Sequence, residues 1–205
     1  MDKAYYHISP ETLGKDAKIP LVKMSNSEEV FRAMADKMAD CIARNNAAGR
    51  HTVFICPVGP VGQYPFFVER VNRERISLKN VWFLNMDEYL EDDDSYIDSA
   101  SPLSFRGFMD RVVYTQIDPE LVMPETQRVF PDPADPARID RLIEELGGVD
   151  IAFGGIGITG HLAFNEPFSS LNSRTRVKTL TYDTLVVNSR FFDNDVNKVP
   201  KQALS

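Results

Sequence analysis

Cysteine is almost missing from this chain: Cys41 and Cys56 are the whole complement, and no C-x-x-C spacing occurs. A disulfide scaffold and a thioredoxin-like redox motif are therefore excluded, and the two thiols read as reduced core residues. Basic residues are also in short supply. Lys and Arg number 23 against 30 Asp and Glu, a net charge of −7, which opposes a nucleic-acid or anionic-membrane surface. A small anionic substrate stays open, because a local arginine cluster can override the global field. No apolar run approaches membrane-spanning length, and Met1-Asp2-Lys3-Ala4-Tyr5-Tyr6-His7 lacks the apolar core of a secretory signal. The nucleophile elbow G-x-S-x-G, paired zinc ligands, EF-hand spacing and the Gly-Lys-Ser/Thr ending of a Walker A loop are all absent. A cytoplasmic protein without metal or other cofactor is expected.

What is present is ordinary globular composition, 43% hydrophobic and 26% charged. A chain of 205 residues carries one sizeable core and is short for two domains. With no repeat, low-complexity stretch or linker, residues 1–205 read as a single domain. Residues 1 to about 18 look like an irregular arm, and Leu21-Val22-Lys23-Met24 like a short strand. Ser25 with Glu28, or Ser27, offers a helix cap. Val30, Phe31, Met34, Met38, Cys41 and Ile42 then recur at helical spacing up to Gly49. Strands are expected at Thr52–Cys56, Val81–Leu84, Val149–Phe153 and Val177–Thr181, and helices over Phe66–Val71, Phe105–Val113 and Ile139–Leu146. Leu185-Val186-Val187 begins a short helix or a turn, and nothing after Val199 has the look of a closing element. Alternating strands and helices indicate an α/β fold with a largely parallel sheet.

Three strand ends carry polar chemistry. The strand at Val149–Phe153 empties into Gly154-Gly-Ile-Gly-Ile-Thr159-Gly160-His161-Leu-Ala-Phe-Asn165-Glu166-Pro167. Gly155, Gly157 and Gly160 fit G-x-G-x-x-G, but Pro167 follows too soon for the helix that a dinucleotide fingerprint requires. The strand ending at Cys56 runs into Pro57–Pro65 with Gly59 and Gly62, either a ligand loop or a plain βα connection. Val81–Leu84 ends in Asn85-Met86-Asp87-Glu88-Tyr89, and the acidic run Glu91–Asp94 behind it reads as a solvated loop. Ligands in open α/β sheets bind outside the carboxyl ends of the strands. Asp87, His161 and Glu166 are placed there by topology, and two acid–base stations suit proton abstraction beside a carbonyl.

The segments at 85–89, 160–167 and 169–180, continued by Asn188–Asn197, resemble the glucosamine-6-phosphate deaminase/isomerase family from about residue 20 onward. The resemblance implies a Rossmann-like three-layer fold, a homo-oligomer, and conversion of an amino sugar phosphate to a ketose phosphate plus ammonia without metal. It implies that Asp87 moves the proton between the first two sugar carbons and that His161, with Glu166, opens the ring. Arg190 matches a phosphate-binding arginine, with Gly59, Gly62 and Gly160 at the substrate loops. Ser169, Arg176, Lys178 and Thr179 match positions that hold an activator sugar phosphate in allosteric members. Thr159 departs from the family's usual Asp beside the histidine, where a neutral partner stabilises an imidazolium less. Val58, Pro60 and Val61 replace the hydroxyls and amides of the first loop. Family members also continue into further strands, helices and a second phosphate-binding lysine, so a C-terminal portion is expected to be lacking. A non-catalytic sugar-phosphate sensor and a sugar-phosphate lactonase are the alternatives that the same resemblance leaves.

Overall fold

The computed structural model describes residues 7–15 and 17–205. Helix α1 (Ser27–Ala47) opens on Asn26, whose side chain accepts the Glu29 amide at 2.9 Å, while the Glu29 carboxylate accepts from Ser25 N. The cap is thus neither serine that the spacing suggested; an asparagine oxygen one residue away fills the same role. Strand β1 (Thr52–Cys56) follows, then α2 (Gln63–Glu74), β2 (Val81–Asn85) and β3 (Glu88–Leu90). Helix α3 (Phe105–Met109) passes directly into a π-helical turn, Asp110–Tyr114. Next come β4 (Arg128–Val129), α4 (Arg138–Glu145), β5 (Ile151–Ala152), β6 (Val177–Thr179), α5 (Tyr182–Asn188) and β7 (Gln202–Leu204).

Four strands form a parallel sheet in the order β4-β2-β1-β5, with Phe54 of β1 paired with Phe83 of β2. The period-two alternation of β1 sends its side chains to two different cores. Phe54 and Cys56 meet α1, α2 and α3 through Met38, Ile42, Phe67 and Met109. Val53 packs on the other face with Leu84, Val129 and Ile139 of α4. Helices on both faces make the three layers expected of the chain. Burying an aromatic such as Phe54 or Phe83, both fully enclosed, contributes about 2–3 kcal/mol.

The remaining strands form a second sheet, antiparallel, in the order β3-β7-β6. Tyr89, Phe164, Leu180 and Ala203 form the core beneath it. Several expectations are corrected here. The strand expected over Val177–Thr181 is the shorter Val177–Thr179 and belongs to this second sheet. The chain does close on a strand, β7, which has only three residues and no periodicity of its own; long-range pairing to β3 and β6 makes it. Leu21–Met24 forms no strand. The strand before the glycine loop is narrower than Val149–Phe153 and is an edge strand, with Ile151 half-buried and Ala152 exposed. The expected arm lies partly outside the described residues; Thr12 and Leu13 make turn bonds back to Ser9. Among the described residues no helix is long and apolar enough to cross a membrane.

Candidate active site

Asp87 sits in the two-residue step between β2 and β3. Its residue is only 7% exposed, and among the described residues its carboxylate accepts no hydrogen bond. Burial, with the Glu88 carboxylate next to it, pushes its pKa up to about 8. Desolvation without compensating donors favours the neutral acid.

His161 and Glu166 lie in the irregular segment after β5, where no helix opens, as the early proline requires. Glu166 is 1% exposed and heavily bonded. His161 Nδ1 lies 3.2 Å from Oε2, which also accepts from the hydroxyls of Thr159 and Thr181, each at 3.1 Å. Oε1 accepts the Thr184 hydroxyl at 2.5 Å and the Thr181 amide at 3.3 Å. Burial works to raise this carboxyl, but the bonds from Thr184 and Thr181 and the adjacent His161 outweigh it and hold the pKa below the usual range. Thr159 also lies 2.8 Å from His161 Nδ1. With the proton assigned to Nδ1, the ring donates toward Glu166 and Thr159 and leaves Nε2 as its free nitrogen. A Cβ at Gly157 would stand 1.9 Å from that Nε2, so only glycine lets the imidazole take this place.

Aromatic packing links the strand that follows Asp87 to the histidine loop. Tyr89, two residues after Asp87, has its ring 5.1 Å from Phe164, whose ring is 6.3 Å from His161. Asn188 of α5 donates to the Tyr89 hydroxyl at 2.9 Å. The loops after β1, β2 and β5 also converge. A Cβ at Gly155 would touch Pro60 at 3.0 Å, and one at Gly154 would lie 3.6 Å from Met86. Gly62 ends its loop as the cap of α2, and its missing side chain makes room for Phe31 of α1. Gly59 has nothing near its Cβ position, and Gly160 has φ of +80° in the turn before His161.

Arg190 is exposed, with its guanidinium 5.0 Å from the Phe191 ring, and it forms no ion pair among the described residues. It lies near enough to Tyr89 to act on it electrostatically, as do Asp87 and Glu166. Arg176 donates to Ser169 at 3.0 Å and to Asn165 at 3.1 Å. Lys178 falls on the same strand face as Arg176, while Thr179 alternates to the other. A cavity of about 720 Å³ borders the α4 side, lined by Met86, Asn165, Ile139, Ile143 and Arg174. It touches the neighbours of Asp87 and Glu166 but neither residue itself. Among the described residues no three His, Cys, Asp or Glu side chains cluster to hold a metal ion. Sequence reasoning missed Thr181, Thr184 and Asn188. The signal for the first two was Thr-x-x-Thr at the start of a helix, where the hydroxyls face one way.

No protein-family model matches the chain. Individual relatives do. It is 38% identical over 185 residues to the glucosamine-6-phosphate deaminase of Phocaeicola vulgatus, an alignment covering 87% of this chain and 69% of that protein. The corresponding protein of Bacteroides fragilis is 41% identical over 170 residues, covering 80% of this chain and 60% of the relative. This chain is thus markedly shorter than these proteins. A solved structure described as a monomeric glucosamine-6-phosphate deaminase superposes with a TM-score of 0.77 at 30% identity, covering 90% of this chain and 74% of the other. A 6-phosphogluconolactonase from Trypanosoma brucei, at 16% identity and a TM-score of 0.58 over 90% of this chain and 74% of its own, shares the fold.

Proposed function

The chain belongs to the glucosamine-6-phosphate deaminase family, and on that premise we propose that it converts an amino sugar phosphate to a ketose phosphate and ammonia. The observation that carries this reading is a pair of carboxylates held in opposite protonation tendencies at one end of the sheet. Asp87, unbonded and pushed up to about 8, is the proton carrier. Glu166, bonded on both oxygens, is the fixed anion behind His161. Such divergence is how a site separates its acid–base roles.

In this reading His161 Nε2 transfers a proton with the sugar's ring oxygen, and the open chain exposes an aldehyde. Asp87 takes the proton from the amine-bearing carbon and returns it to the aldehyde carbon. The resulting imine adds water and releases ammonia, leaving the ketone. Arg190 holds the phosphate, together with backbone around Gly59, Gly62 and Gly160. Ser169 with Arg176 and Lys178 form an anion site of their own. Thr179, on the opposite strand face, would join it only from another direction. Thr159 orients His161 with a hydroxyl in place of a charge.

The test is ammonia release and ketose formation with glucosamine 6-phosphate and related amino sugar phosphates. Turnover by the native chain is expected, with a loss of about 10²–10⁴-fold in Asp87→Asn. No turnover of any of them, or full activity in Asp87→Asn, rejects the assignment. Saturable binding without turnover would point to a sensor, and hydrolysis of a phosphogluconolactone to the lactonase chemistry.

A further inference from the structure

Glu88 has no part in the chemistry just described, yet it is the most completely enclosed carboxylate near it. The residue is 0% exposed. Its Oε2 accepts the Arg106 amide at 2.7 Å and the Ser104 hydroxyl at 3.3 Å, and its Oε1 accepts the Phe105 amide at 3.0 Å and its own chain's Tyr89 amide at 2.9 Å. Phe105 and Arg106 are the first residues of α3, capped by Ser104. The carboxylate therefore docks the start of β3 onto the opening of a helix whose free amides seek an anion. The Arg106 guanidinium adds a cation, with Nε 3.3 Å away. Asp87, the preceding residue, has none of these partners. One step of the chain thus carries a carboxylate with every lone pair in use beside a carboxylate that, among the described residues, has none in use.

We infer that Glu88 is a positioning residue for Asp87: its anchored carboxylate fixes the turn that carries the base and, once ionised, presents a negative charge to it. The inference rests on reading Asp87 as the proton carrier. Other ionisable groups facing this turn are Tyr64 of α2, Tyr89 of β3, Tyr96 and Arg106. Burial raises Tyr64, Tyr89 and Tyr96, so the phenols stay neutral where Asp87 titrates. Burial also raises Glu88 above the usual carboxylate range, by more than the Arg106, Phe105 and Tyr89 amides and the Arg106 charge offset. A like charge beside a carboxyl makes its proton harder to remove, so an ionised Glu88 turns Asp87 into a stronger base.

The experiment is a carbon-detected NMR titration of both side-chain carboxyls in the ligand-free protein, paired with the pH profile of kcat/KM. In the native chain Glu88 should lose its proton well below the pH at which Asp87 does. In Glu88→Gln the Asp87 midpoint should move down by about one pH unit, and the acid limb of kcat/KM should move with it. A merely structural glutamate would lower activity or stability without displacing that limb. Unchanged Asp87 titration in a folded Glu88→Gln overturns the inference. So does a native Glu88 that stays protonated through the Asp87 midpoint, a result that needs no variant to fold. Absence of turnover with the titrations ordered as expected rejects the deaminase reading and leaves the carboxylate coupling intact.

Discussion

Asp87 and Glu166 are chemically similar groups, both buried, and their surroundings drive them apart. Linkage turns that difference into opposite stability profiles. Asp87 has a folded value of about 8 against 3.8 for an unperturbed Asp, so between those pH values the folded chain holds the extra proton and stability falls as pH rises. Asp87→Asn should therefore match the native protein near pH 4 and exceed it by several kcal/mol, about 6 at most, above pH 8, measured by urea unfolding across that range. With Asp87 as the proposed base, activity would require the ionised form and should climb toward pH 8 over the same interval. Glu166 has the reverse sign. Its folded value lies below the unperturbed 4.5, so its contribution is present above that pH and is lost as pH falls through the folded value. Glu166→Gln should cost about 2 kcal/mol at neutral pH and progressively less in acid. A Glu166→Gln penalty independent of pH would contradict the assignment of an ionised, bonded carboxylate.

At the scale of elements, what was legible depended on length and locality. Helix α1 and strands β1 and β2 announce themselves because six or more periodic residues, or a β-branched and aromatic run, repeat one local preference. The placement of Asp87, His161 and Glu166 at strand ends followed from the same signals. Strand β7 did not, since Gln202, Ala203 and Leu204 have no local reason to extend and are held by pairing with residues more than a hundred positions earlier. Thr181 and Thr184 were missed because a bond to a carboxylate fifteen and eighteen residues away leaves no trace beyond their own Thr-x-x-Thr spacing. The dependence on β7 can be measured. Leu204 is fully buried and faces Glu88 in register. Leu204→Ala should lower stability by about 2–4 kcal/mol, seen as an earlier thermal transition, whereas a cost under about 0.5 kcal/mol would mean that the second sheet does not need it.

The whole molecule has its two acid–base stations on different foundations. Asp87 rises from the parallel sheet, whose centre is covered by helices on both faces, while His161 and Glu166 belong to long irregular backbone tied to short strands and a seven-residue helix. Native-state amide exchange should show this as a hierarchy, with β1 and β2 slowest and β6, β7 and residues 154–170 opening at lower free energy. Equal protection throughout would show one cooperative block instead. Strand β7 is what spans the divide, pairing with β3 on one side and β6 on the other while the Ser205 hydroxyl accepts the Phe164 amide. It works as a tie-rod between the helix-covered sheet and the irregular loops. Slackening that rod would let the histidine loop shift against the Asp87 turn before it disturbed either chemical group, so altered preference among substrates should be the first symptom of damage there.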